Sequence, residues 1–309
     1  MKRDLISSAD LSAAEYAMLL DSAAKLKSDY VQGVRPTVLA GKLLALLFEK
    51  PSLRTRLSFE AAMLQLGGTA RFLGPTEVAM GKRESVPDVA RTAGLYTDGV
   101  AARIFGHEVA EQLAKYCPKP VINALSDDEH PCQILADLLT LRERFGRIEG
   151  VTVAYVGDSN NITNSLIYAA PKVGLNLIVS SPADYQPRPE VLARATADAG
   201  GRTGWIETEP DPNRAVATAD AVYADSWYSM GQENEAAHRR QLFKDYQINS
   251  ALMSHAPKRA LVMHCLPAHR GDEITDEVMD GEQSIVFHQA ENRLHAQKAV
   301  LAWLLGGQN

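Results

Sequence analysis

The sequence predicts an α/β protein of two domains, each built on a mainly parallel sheet flanked by helices. The chain has 309 residues, which is enough for two domains of ordinary size. Short apolar runs alternate with longer amphipathic stretches from one end of the chain to the other. This alternation favours parallel sheets, because neighbouring parallel strands must be joined by crossovers and helices usually form them.

The alternation defines the individual elements. The predicted strands are Leu43–Phe48, Thr69–Phe72, Gly99–Ile104, Val121–Asn123, Val151–Val156, Leu175–Val179, Ala221–Tyr223 and Ala260–Met263. The predicted helices are Ala13–Lys27, Arg54–Leu66, Val86–Leu95, Val109–Tyr116, Pro131–Phe145, Ile162–Val173, Glu190–Ala199, Ala215–Ala219 and Ala290–Leu304. Parallel sheets bind ligands beyond the carboxyl ends of their strands, so the segments that follow the strands are the candidates for function.

The domain junction is expected near the segment Gly-Arg-Ile-Glu-Gly at residues 146–150, between a long helix and a new strand. We expect residues 1–147 to form the first domain and residues 148–289 the second. The last helix, at about 290–305, ends before Gly306 and Gly307, which suit a helix stop. We expect this helix to pack back on the first domain.

Composition limits the class of partner. Hydrophobic residues make up 46% of the chain and charged residues 23%, a globular rather than a disordered balance. The formal net charge of -6 gives the whole protein no field that attracts nucleic acid or an anionic membrane, so neither is an expected partner. An anionic substrate would need a local cluster of Arg and Lys.

Cysteine usage and the N-terminus predict a cytoplasmic protein. Three cysteines, without a Cys-x-x-Cys pair, are too few for a disulfide framework or a structural zinc site. The basic N-terminus could begin a signal peptide, but Asp4, Asp10 and Glu15 interrupt the apolar core that it would need. The longest apolar run, Leu43–Phe48, suits a buried strand and is too short to span a membrane.

Residues 48–56 follow the most apolar predicted strand and open a helix. Ser52 is placed as the helix N-cap, so the backbone N–H groups of the first turn and the positive end of the helix dipole can receive an anion. Arg54 and Thr55 add a guanidinium group and a hydroxyl group. A helix start with solvated arginines is the alternative, but the position after a buried strand favours a phosphate site. The glycines of the Gly-x-x-x-x-Gly-Lys phosphate loop are absent.

His130 stands at the start of another predicted helix, because the following Pro131 is favoured in a first helical turn. His130 and Gln133 are three positions apart and can project towards one point. A neutral imidazole and a carboxamide can bind both sides of a small amide-like group, and the helix dipole disfavours a charged imidazole here. A histidine that only caps or packs is the alternative. Arg103, at the end of its predicted strand, suits a ligand contact.

Three polar segments follow strands in the second half. Residues 157–161 lack the Gly-x-Gly-x-x-Gly of a dinucleotide-binding turn, and their Asn amides suit the ammonium and carboxylate of an amino acid. Residues 225–233 contain Gly231 and predict a closing loop, with a polar surface loop as the alternative. Residues 264–273 contain Cys265 beside a histidine, but no third orienting group is evident for a covalent nucleophile, and a buried structural thiol is the alternative.

These segments resemble, in order and over nearly the whole chain, the motifs of the aspartate and ornithine carbamoyltransferase family. Ser-Leu-Arg-Thr-Arg from Ser52 resembles the Ser-Thr-Arg-Thr-Arg motif that binds carbamoyl phosphate, and His130 opens a His-Pro-x-Gln motif. The pattern Asp-x-x-x-Ser-Met-Gly from Asp225 is typical of the ornithine enzymes and not of the aspartate enzymes. Glu-Asn-Arg-x-His-x-Gln-Lys from Glu291 matches a further motif of the family.

The resemblance implies an enzyme, without cofactor or metal, that moves the carbamoyl group of carbamoyl phosphate to the δ-amine of L-ornithine in an interdomain cleft. The carbamoyl-phosphate contacts that it implies are Ser52, Leu53, Arg54, Thr55, Arg103, His130, Gln133, Cys265, Leu266 and Arg293. The ornithine contacts that it implies are Asn161, Asp225, Ser229 and Met230. Among these residues, Arg103, His130 and Cys265 are the expected catalytic groups.

The resemblance also implies a homotrimer, or a multiple of trimers, with sites between subunits. Two positions depart from the family pattern. Leu53 replaces the commoner Thr. Ala79 replaces a Gln that reaches a neighbouring subunit's phosphate site, and the sequence leaves open whether Lys82 or Arg83 makes this contact instead. A sister transferase that acts on an acylated ornithine or another amine remains an alternative. A non-catalytic paralogue should have lost Arg54, His130 or Cys265, and all three are present.

Overall fold

The computed structural model describes residues 2–198, 204–228 and 233–307. The strands are β1 (Leu43–Phe48), β2 (Thr69–Leu73), β3 (Gly99–Arg103), β4 (Val121–Leu125), β5 (Thr152–Val156), β6 (Asn176–Ser180), β7 (Ile206–Thr208), β8 (Ala221–Ala224) and β9 (Leu261–His264). The α-helices are α1 (Ala13–Val31), α2 (Leu53–Gln65), α3 (Pro75–Val78), α4 (Val86–Tyr96), α5 (His107–Tyr116), α6 (Pro131–Phe145), α7 (Asn161–Val173), α8 (Pro189–Ala197), α9 (Pro212–Val216), α10 (Ala236–Phe243), α11 (Ser250–Met253), α12 (Asp276–Met279) and α13 (Val286–Leu305). Single 3-10 turns occur at Ser8–Asp10, Ala183–Tyr185, Glu233–Glu235 and Lys244–Tyr246.

The chain divides into two compact units. The first unit consists of Met1–Leu139 and Asn292–Asn309, and the second of Thr140–Glu291. The first unit holds a sheet in the order β2-β1-β3-β4, and the second a sheet in the order β7-β6-β5-β8-β9. Every strand pair in both sheets is parallel. The predicted two-domain α/β fold with parallel sheets and flanking helices is therefore confirmed.

In the first unit, β1 lies between β2 and β3, and all of its residues after Leu43 are buried. A strand covered on both faces needs a continuous apolar sequence rather than an alternating one, which explains Leu-Leu-Ala-Leu-Leu-Phe. Phe48, the last residue of β1, pairs with Arg103, the last residue of β3. The ends of these strands therefore place residue 103 beside the chain that leads into α2.

In the second unit, β5 and β8 occupy the middle of the sheet and are fully buried. One apolar cluster of this unit packs Ala154 and Val222 with Val262, one residue from each of β5, β8 and β9. Since neighbouring parallel strands end at one edge of the sheet, the segments after these three strands begin close together. None of the helices in the described part of the chain is long and apolar enough to cross a membrane.

Several details differ from the sequence prediction. Helices α3, α10, α11 and α12 were not predicted, and three further differences have a local physical reason. The helix predicted at Ala215–Ala219 is wrong by three residues, because the side chain of Asp211 caps a helix that starts at Pro212. Strand β7 was missed, since it is a short edge strand with exposed residues and carries no apolar signal. Helix α13 begins four residues before the predicted start, where the backbone N–H of Gln289 already donates to the carbonyl of Ile285.

Candidate active site

The first group of candidate residues gathers at the carboxyl edge of the sheet in the first unit. Strands β1, β3 and β4 are neighbours in the parallel sheet. β1 leads to Ser52, β3 ends at Arg103, and β4 is followed by His130 at the start of α6. The fold therefore brings together three segments that are far apart in sequence, at the edge where parallel sheets bind ligands.

Ser52 is the N-cap of α2, as the sequence predicted. Its backbone is extended, and its hydroxyl accepts a hydrogen bond from the backbone N–H of Thr55. No acidic residue occupies the first turn of this helix of 13 residues, so the positive end of its dipole is not compensated there by a side chain of its own. Leu53 begins the helix with 69% of its surface exposed. Arg54 follows it and is half-buried.

Two guanidinium groups converge on the buried hydroxyl of Thr55. Arg103 Nη1 lies 3.5 Å from Thr55 Oγ1, and Arg293 Nη2, from α13, lies 3.2 Å from it. Both arginines are more than nine-tenths buried. Two cations at one low-dielectric point repel each other, and an anion bound beside them would relieve that repulsion.

The amide of Gln133 is fixed at both ends. Its Nε2 donates to Asp137 Oδ1 at 2.8 Å, so its Oε1 faces the other way and accepts from Arg293 Nη1 at 2.7 Å. Asp137 is completely buried one helical turn after Gln133. An amide that can donate only towards the carboxylate must present its oxygen towards the arginine. The remaining lone pair of Oε1 can accept a further N–H.

His130 is a neutral imidazole at neutral pH. The ring is 4% exposed, and burial lowers its pKa well below the ordinary value, with Arg293, Arg103 and Lys50 adding to the effect through their positive charges. A neutral ring can still donate one hydrogen bond to a carbonyl oxygen. Lys50 is itself buried, pairs with Asp127 and lies over the ring of Phe105. Burial lowers the pKa of Lys50 as well.

The second group of candidate residues lies in the second unit and is centred on Asp225, directly after β8. Asp225 Oδ1 accepts from Cys265 Sγ at 2.8 Å and from the backbone N–H of Ser226 at 2.8 Å. Asp225 Oδ2 accepts from Asn160 Nδ2 at 2.7 Å. The carboxylate is thus held in one orientation by three donors from the segments after β5, β8 and β9.

The neighbouring asparagines have different positions. Asn160 caps α7 through its Oδ1, which accepts from the backbone N–H of Ile162 at 2.9 Å. Asn161, the residue that the sequence analysis singled out, is the first residue of α7 and is buried. Between these two asparagines, the contact with Asp225 comes from Asn160.

A second carboxylate of this group, Asp158, forms an ion pair with a buried arginine. Arg239 Nη1 lies 2.7 Å from Asp158 Oδ2 and 2.8 Å from the carbonyl oxygen of Trp227, while its Nε donates to Glu235 at 2.8 Å. Burial raises the pKa of Asp158 to about 6, with Asp225 and Glu235 adding to the rise and Arg239 opposing it. Three carboxylates, those of Asp158, Asp225 and Glu235, therefore lie within electrostatic range of one another near a single buried arginine.

The thiol of Cys265 acts here as a hydrogen-bond donor to Asp225. A protonated thiol is a weak nucleophile, so this contact does not favour covalent catalysis. Asp225, His264 and Cys265 each present one potential metal ligand, with these atoms within 4.8 Å of one another. Both ring nitrogens of His264 already take part in hydrogen bonds, with the backbone N–H of Leu266 and with Glu273. These contacts use the ring for hydrogen bonding rather than for a metal.

The predicted residues thus form two groups. The first group consists of Ser52, Leu53, Arg54, Thr55, Arg103, His130, Gln133 and Arg293. The second group consists of Asn161, Asp225, Cys265 and Leu266. Ser229 and Met230, the other two predicted ornithine contacts, lie outside the described residues.

Sequence reasoning missed several polar residues that hold these groups. Asp137 could have been found, because it stands four positions after Gln133 and so on the same face of α6. Asn160, His264 and Glu273 lay inside segments already singled out, but nothing in their spacing indicated their partners. Arg239 carried no signal, since its partners are distant in sequence.

Comparison with known proteins also finds two domains in the chain. Residues 3–143 match the carbamoyl-P binding domain of aspartate/ornithine carbamoyltransferase, and residues 149–304 match the Asp/Orn binding domain. The ornithine carbamoyltransferase of Gloeobacter violaceus is 51% identical over 305 residues, covering 99% of this chain and 96% of that protein. The ornithine carbamoyltransferase of Thermococcus kodakarensis is 47% identical over 305 residues, covering 99% and 97%.

Solved structures agree with these matches. The ornithine carbamoyltransferase from Pyrococcus furiosus superposes with a TM-score of 0.96 at 46% identity, covering 99% of this chain and 98% of that chain. The ornithine carbamoyltransferase from Gloeobacter violaceus superposes with a TM-score of 0.88 at 48% identity, covering 98% and 99%. Since two domains of one family account for nearly the whole sequence and close relatives match it end to end, the chain belongs to the aspartate/ornithine carbamoyltransferase family and is a carbamoyltransferase.

Proposed function

We propose that the protein transfers the carbamoyl group of carbamoyl phosphate to the δ-amine of L-ornithine, giving L-citrulline and phosphate. The relatives named above are ornithine carbamoyltransferases. One relative, from Pyrococcus furiosus, is named as the anabolic enzyme, which supports a role in arginine biosynthesis. Two features of the chain support the assignment independently: a cationic site in the first unit and an anionic site in the second.

The first unit supplies the carbamoyl-phosphate site in this proposal. The backbone N–H groups after Ser52, together with Arg54 and Thr55, bind the phosphate at the positive end of α2. Arg103 and the neutral His130 donate hydrogen bonds to the carbonyl oxygen. Gln133 and Arg293 complete this site, with Gln133 Oε1 accepting from the carbamoyl N–H₂. The convergence of Arg103 and Arg293 on Thr55 Oγ1 supports an anionic ligand here.

The observation that carries the choice of ornithine is the setting of Asp225. Its carboxylate is held by hydrogen bonds from Cys265 and Asn160. A further carboxylate, Asp158, lies close enough for the charge of Asp225 to add to the rise in the pKa of Asp158 that burial causes. An anionic site favours an amine substrate and disfavours the second carboxylate of aspartate. Asn161, Ser229 and Met230 are the other ornithine contacts of the proposal, whereas the backbone carbonyls of Cys265 and Leu266 accept hydrogen bonds from the carbamoyl nitrogen of carbamoyl phosphate.

The proposed reaction is a direct displacement. The lone pair of the neutral δ-amine forms the new C–N bond, the C–O bond to phosphate breaks, and phosphate leaves with those electrons. The amine proton passes to phosphate or solvent. Arg103, Thr55 and His130 stabilise the developing oxyanion, and donors of this kind are typically worth about 3 kcal/mol each. Both substrates must be bound at once, because no carbamoyl-enzyme forms, and their alignment supplies much of the remaining acceleration.

The free δ-amine has a pKa near that of a lysine side chain, roughly 10.4. The fraction of neutral amine therefore rises about tenfold for each pH unit across the neutral range. The pH dependence of kcat/KM for ornithine should follow this rise, since His130 is already neutral and does not limit it. A flat profile would contradict rate-limiting attack by the amine.

The remaining parts of the proposal concern organisation. We propose that residues 1–147, with the last helix, form the carbamoyl-phosphate domain and residues 148–289 the ornithine domain. A homotrimer, or a multiple of trimers, is supported by an apolar stripe on α2, where Leu53, Leu57 and Leu64 are 69%, 55% and 75% exposed. A cytoplasmic location is supported by the free thiols of Cys117, Cys132 and Cys265.

Citrulline formation by the purified protein tests the function. Ornithine should be carbamoylated at a far higher rate than acetylornithine, putrescine or aspartate. The Arg54→Ala variant should lose on the order of a thousandfold in kcat/KM for carbamoyl phosphate, because a charge-assisted contact to phosphate is lost. Arg91→Ala is the matched control, since Arg91 is exposed on α4 and pairs with Asp88. Preference for acetylornithine, or an unaffected Arg54→Ala variant, would overturn the assignment.

A further inference from the structure

Leu266 adopts a backbone conformation that leucine rarely takes. Its φ is 61°, in the left-handed region, and the other non-glycine residue with positive φ in the described part of the chain is Ala79. In this region the Cβ atom crowds a backbone carbonyl oxygen, so a leucine remains there only when its surroundings hold it. Such strain concentrates at functional sites.

The contact that holds Leu266 comes from the ring of His264. The backbone N–H of Leu266 donates to His264 Nδ1 at 2.9 Å. Because Nδ1 is the acceptor, the proton of the neutral ring is on Nε2, which lies 3.1 Å from Glu273 Oε1 and donates to it. His264 and Glu273 are 1% and 0% exposed. A hydrogen-bonded chain therefore runs from the Glu273 carboxylate through the imidazole to the strained residue.

His264 and Glu273 are each held by a further hydrogen bond. The backbone N–H of His264 donates to Gln289 Oε1 at 2.9 Å, and His264 pairs with Ala224 at the end of β9. Glu273 Oε1 also accepts from the backbone N–H of His269 at 2.6 Å. The imidazole ring of His264 therefore has little freedom to turn. The backbone N–H of Leu266, which is hydrogen-bonded to this ring, is restricted as well.

The torsion φ of Leu266 sets how the peptide of Cys265 is oriented relative to the chain that follows. Cys265 in turn directs its thiol at Asp225. We propose that His264 and Glu273 are positioning residues that hold Leu266 in its left-handed conformation and so aim the carbonyl groups of Cys265 and Leu266 at the carbamoyl nitrogen. This role rests on the proposed function, in which those two carbonyls bind carbamoyl phosphate.

Two substitutions of His264 separate its two hydrogen bonds. In His264→Asn, Oδ1 can occupy the position of Nδ1, so the bond to Leu266 is kept and the bond to Glu273 is lost. In His264→Gln, the longer amide can reach Glu273, but the acceptor for Leu266 is lost. We expect kcat/KM for carbamoyl phosphate to fall roughly tenfold in the Asn variant and about 300-fold in the Gln variant, with KM for ornithine changed less than about threefold. Glu277→Gln, an exposed carboxylate change on α12, is the control.

Leu266→Gly tests the strain itself, because glycine adopts positive φ without steric cost. Leu266→Gly also removes the leucine side chain, and that loss can lower activity by itself. A double-mutant cycle separates this loss from the effect of His264→Gln. The loss caused by His264→Gln should be at least about fivefold smaller in the Leu266→Gly background than in the natural one. A purely structural role of His264 would give equal losses in the two backgrounds, and equal losses would overturn the proposal.

Crystal structures of the two histidine variants give a readout that does not depend on turnover. Leu266 should keep positive φ in His264→Asn and relax to negative φ in His264→Gln; positive φ in both contradicts the proposal even if the wild type makes citrulline. Absence of citrulline formation by the wild type would instead defeat the proposed function. Should His264→Gln not fold, the Asn variant decides alone, since a loss beyond about 100-fold with the Leu266 bond intact contradicts the positioning role.

Discussion

The two proposed half-sites, the first-unit group around Thr55 and the second-unit group around Asp225, carry opposite charge. We call them the cationic and the anionic half-site, and each is held by buried residues of the opposite charge. In the first unit, buried arginines meet at the hydroxyl of Thr55 beside a helix N-terminus. In the second unit, the carboxylate of Asp225 is held by a thiol, an amide and a backbone N–H. The net charge of -6 predicts neither arrangement, because both depend on local placement.

The supports of the two half-sites teach a further lesson. The cationic half-site is steadied by a buried carboxylate, Asp137, acting through Gln133. The anionic half-site is steadied by a buried cation, Arg239, which pairs with Asp158. Each proposed half-site therefore has one buried ion of the opposite sign in contact with its polar groups, which limits repulsion without cancelling the field.

Removing the charge of Asp225 is the strongest way to break this comparison. Asp225→Asn should lower kcat/KM for ornithine by on the order of a thousandfold, because a half-buried charge partner of the substrate is removed while its shape is kept. Binding of carbamoyl phosphate, measured by calorimetry in the absence of ornithine, should stay within about threefold of the wild type.

Asp280→Asn is the matched control for this change. Asp280 is an exposed carboxylate of the same unit and pairs with Arg270. An equal loss in both variants would mean that the overall charge of the unit, rather than the placement of Asp225, attracts ornithine. A loss confined to carbamoyl-phosphate binding would reverse the assignment of the two half-sites.

The sequence predicts the residues of the cationic half-site better than the contacts of the anionic half-site, for a physical reason. Ser52, Arg54 and Thr55 lie within one helix start, so cap chemistry and the preceding apolar run identify them from local sequence. The partnership of Asn160 with Asp225 depends on the order β5-β8-β9 within a sheet, which no local pattern encodes. The parallel sheets themselves follow from alternation, but their strand order does not.

Burial creates the same inequality among the supporting residues. Lys50 lies in the segment 48–56 that the sequence indicates as a phosphate site, yet its burial and its pairing with Asp127 depend on tertiary packing. Arg239 stands in a polar helix, α10, whose sequence gives no hint that this one arginine is 7% exposed. A polar residue that the fold removes from water needs a partner, and its burial therefore indicates a role. The spacing of residues in the sequence does not show which polar residues become buried.

A second prediction concerns Asp158, the carboxylate that pairs with the buried cation Arg239 in the anionic half-site. The pKa of Asp158 is raised to about 6 from an ordinary 3.8, so the folded protein binds this proton more tightly than the unfolded chain. Stability from Asp158 is therefore present at low pH and is lost as the pH rises from about 4 to about 6, by on the order of 3 kcal/mol. Urea unfolding of the wild type, compared with Asp158→Asn at each pH, should show this loss.

Arg239→Gln should move the loss to higher pH. Arg239 lowers the pKa of Asp158, whereas burial, Asp225 and Glu235 raise it. Without the guanidinium group the carboxyl should remain protonated further above pH 6, and carboxyl NMR of the variant would report this directly. A pKa that is unchanged in Arg239→Gln would show that the ion pair does not set the charge of this half-site.

The corresponding test in the cationic half-site has a smaller expected effect. Asp137→Asn replaces a carboxylate that only accepts with an amide that also donates, so the Gln133 amide is no longer fixed and can turn its N–H₂ group towards Arg293. We expect KM for carbamoyl phosphate to rise about tenfold with ornithine KM nearly constant, because the substrate loses one hydrogen bond to Gln133 and not a charged partner. Glu60→Gln, a change at a half-buried carboxylate of α2 that pairs with Arg56, should leave both values unaltered. An increase confined to ornithine KM would remove Asp137 from this half-site.

The smallest expected effect comes from Leu53, where the chain departs from its family. The side chain is 69% exposed at the first position of α2, so only its backbone N–H lies at the helix N-terminus where phosphate is expected to bind. Leu53→Thr should therefore change kcat/KM by less than about twofold, the usual limit for an exposed substitution without a polar partner. Light scattering should show whether losing one residue of the apolar stripe weakens self-association. A change above tenfold in kcat/KM would mean that the residue 53 side chain contacts substrate, and the cationic half-site would then include more than a helix N-terminus and its arginines.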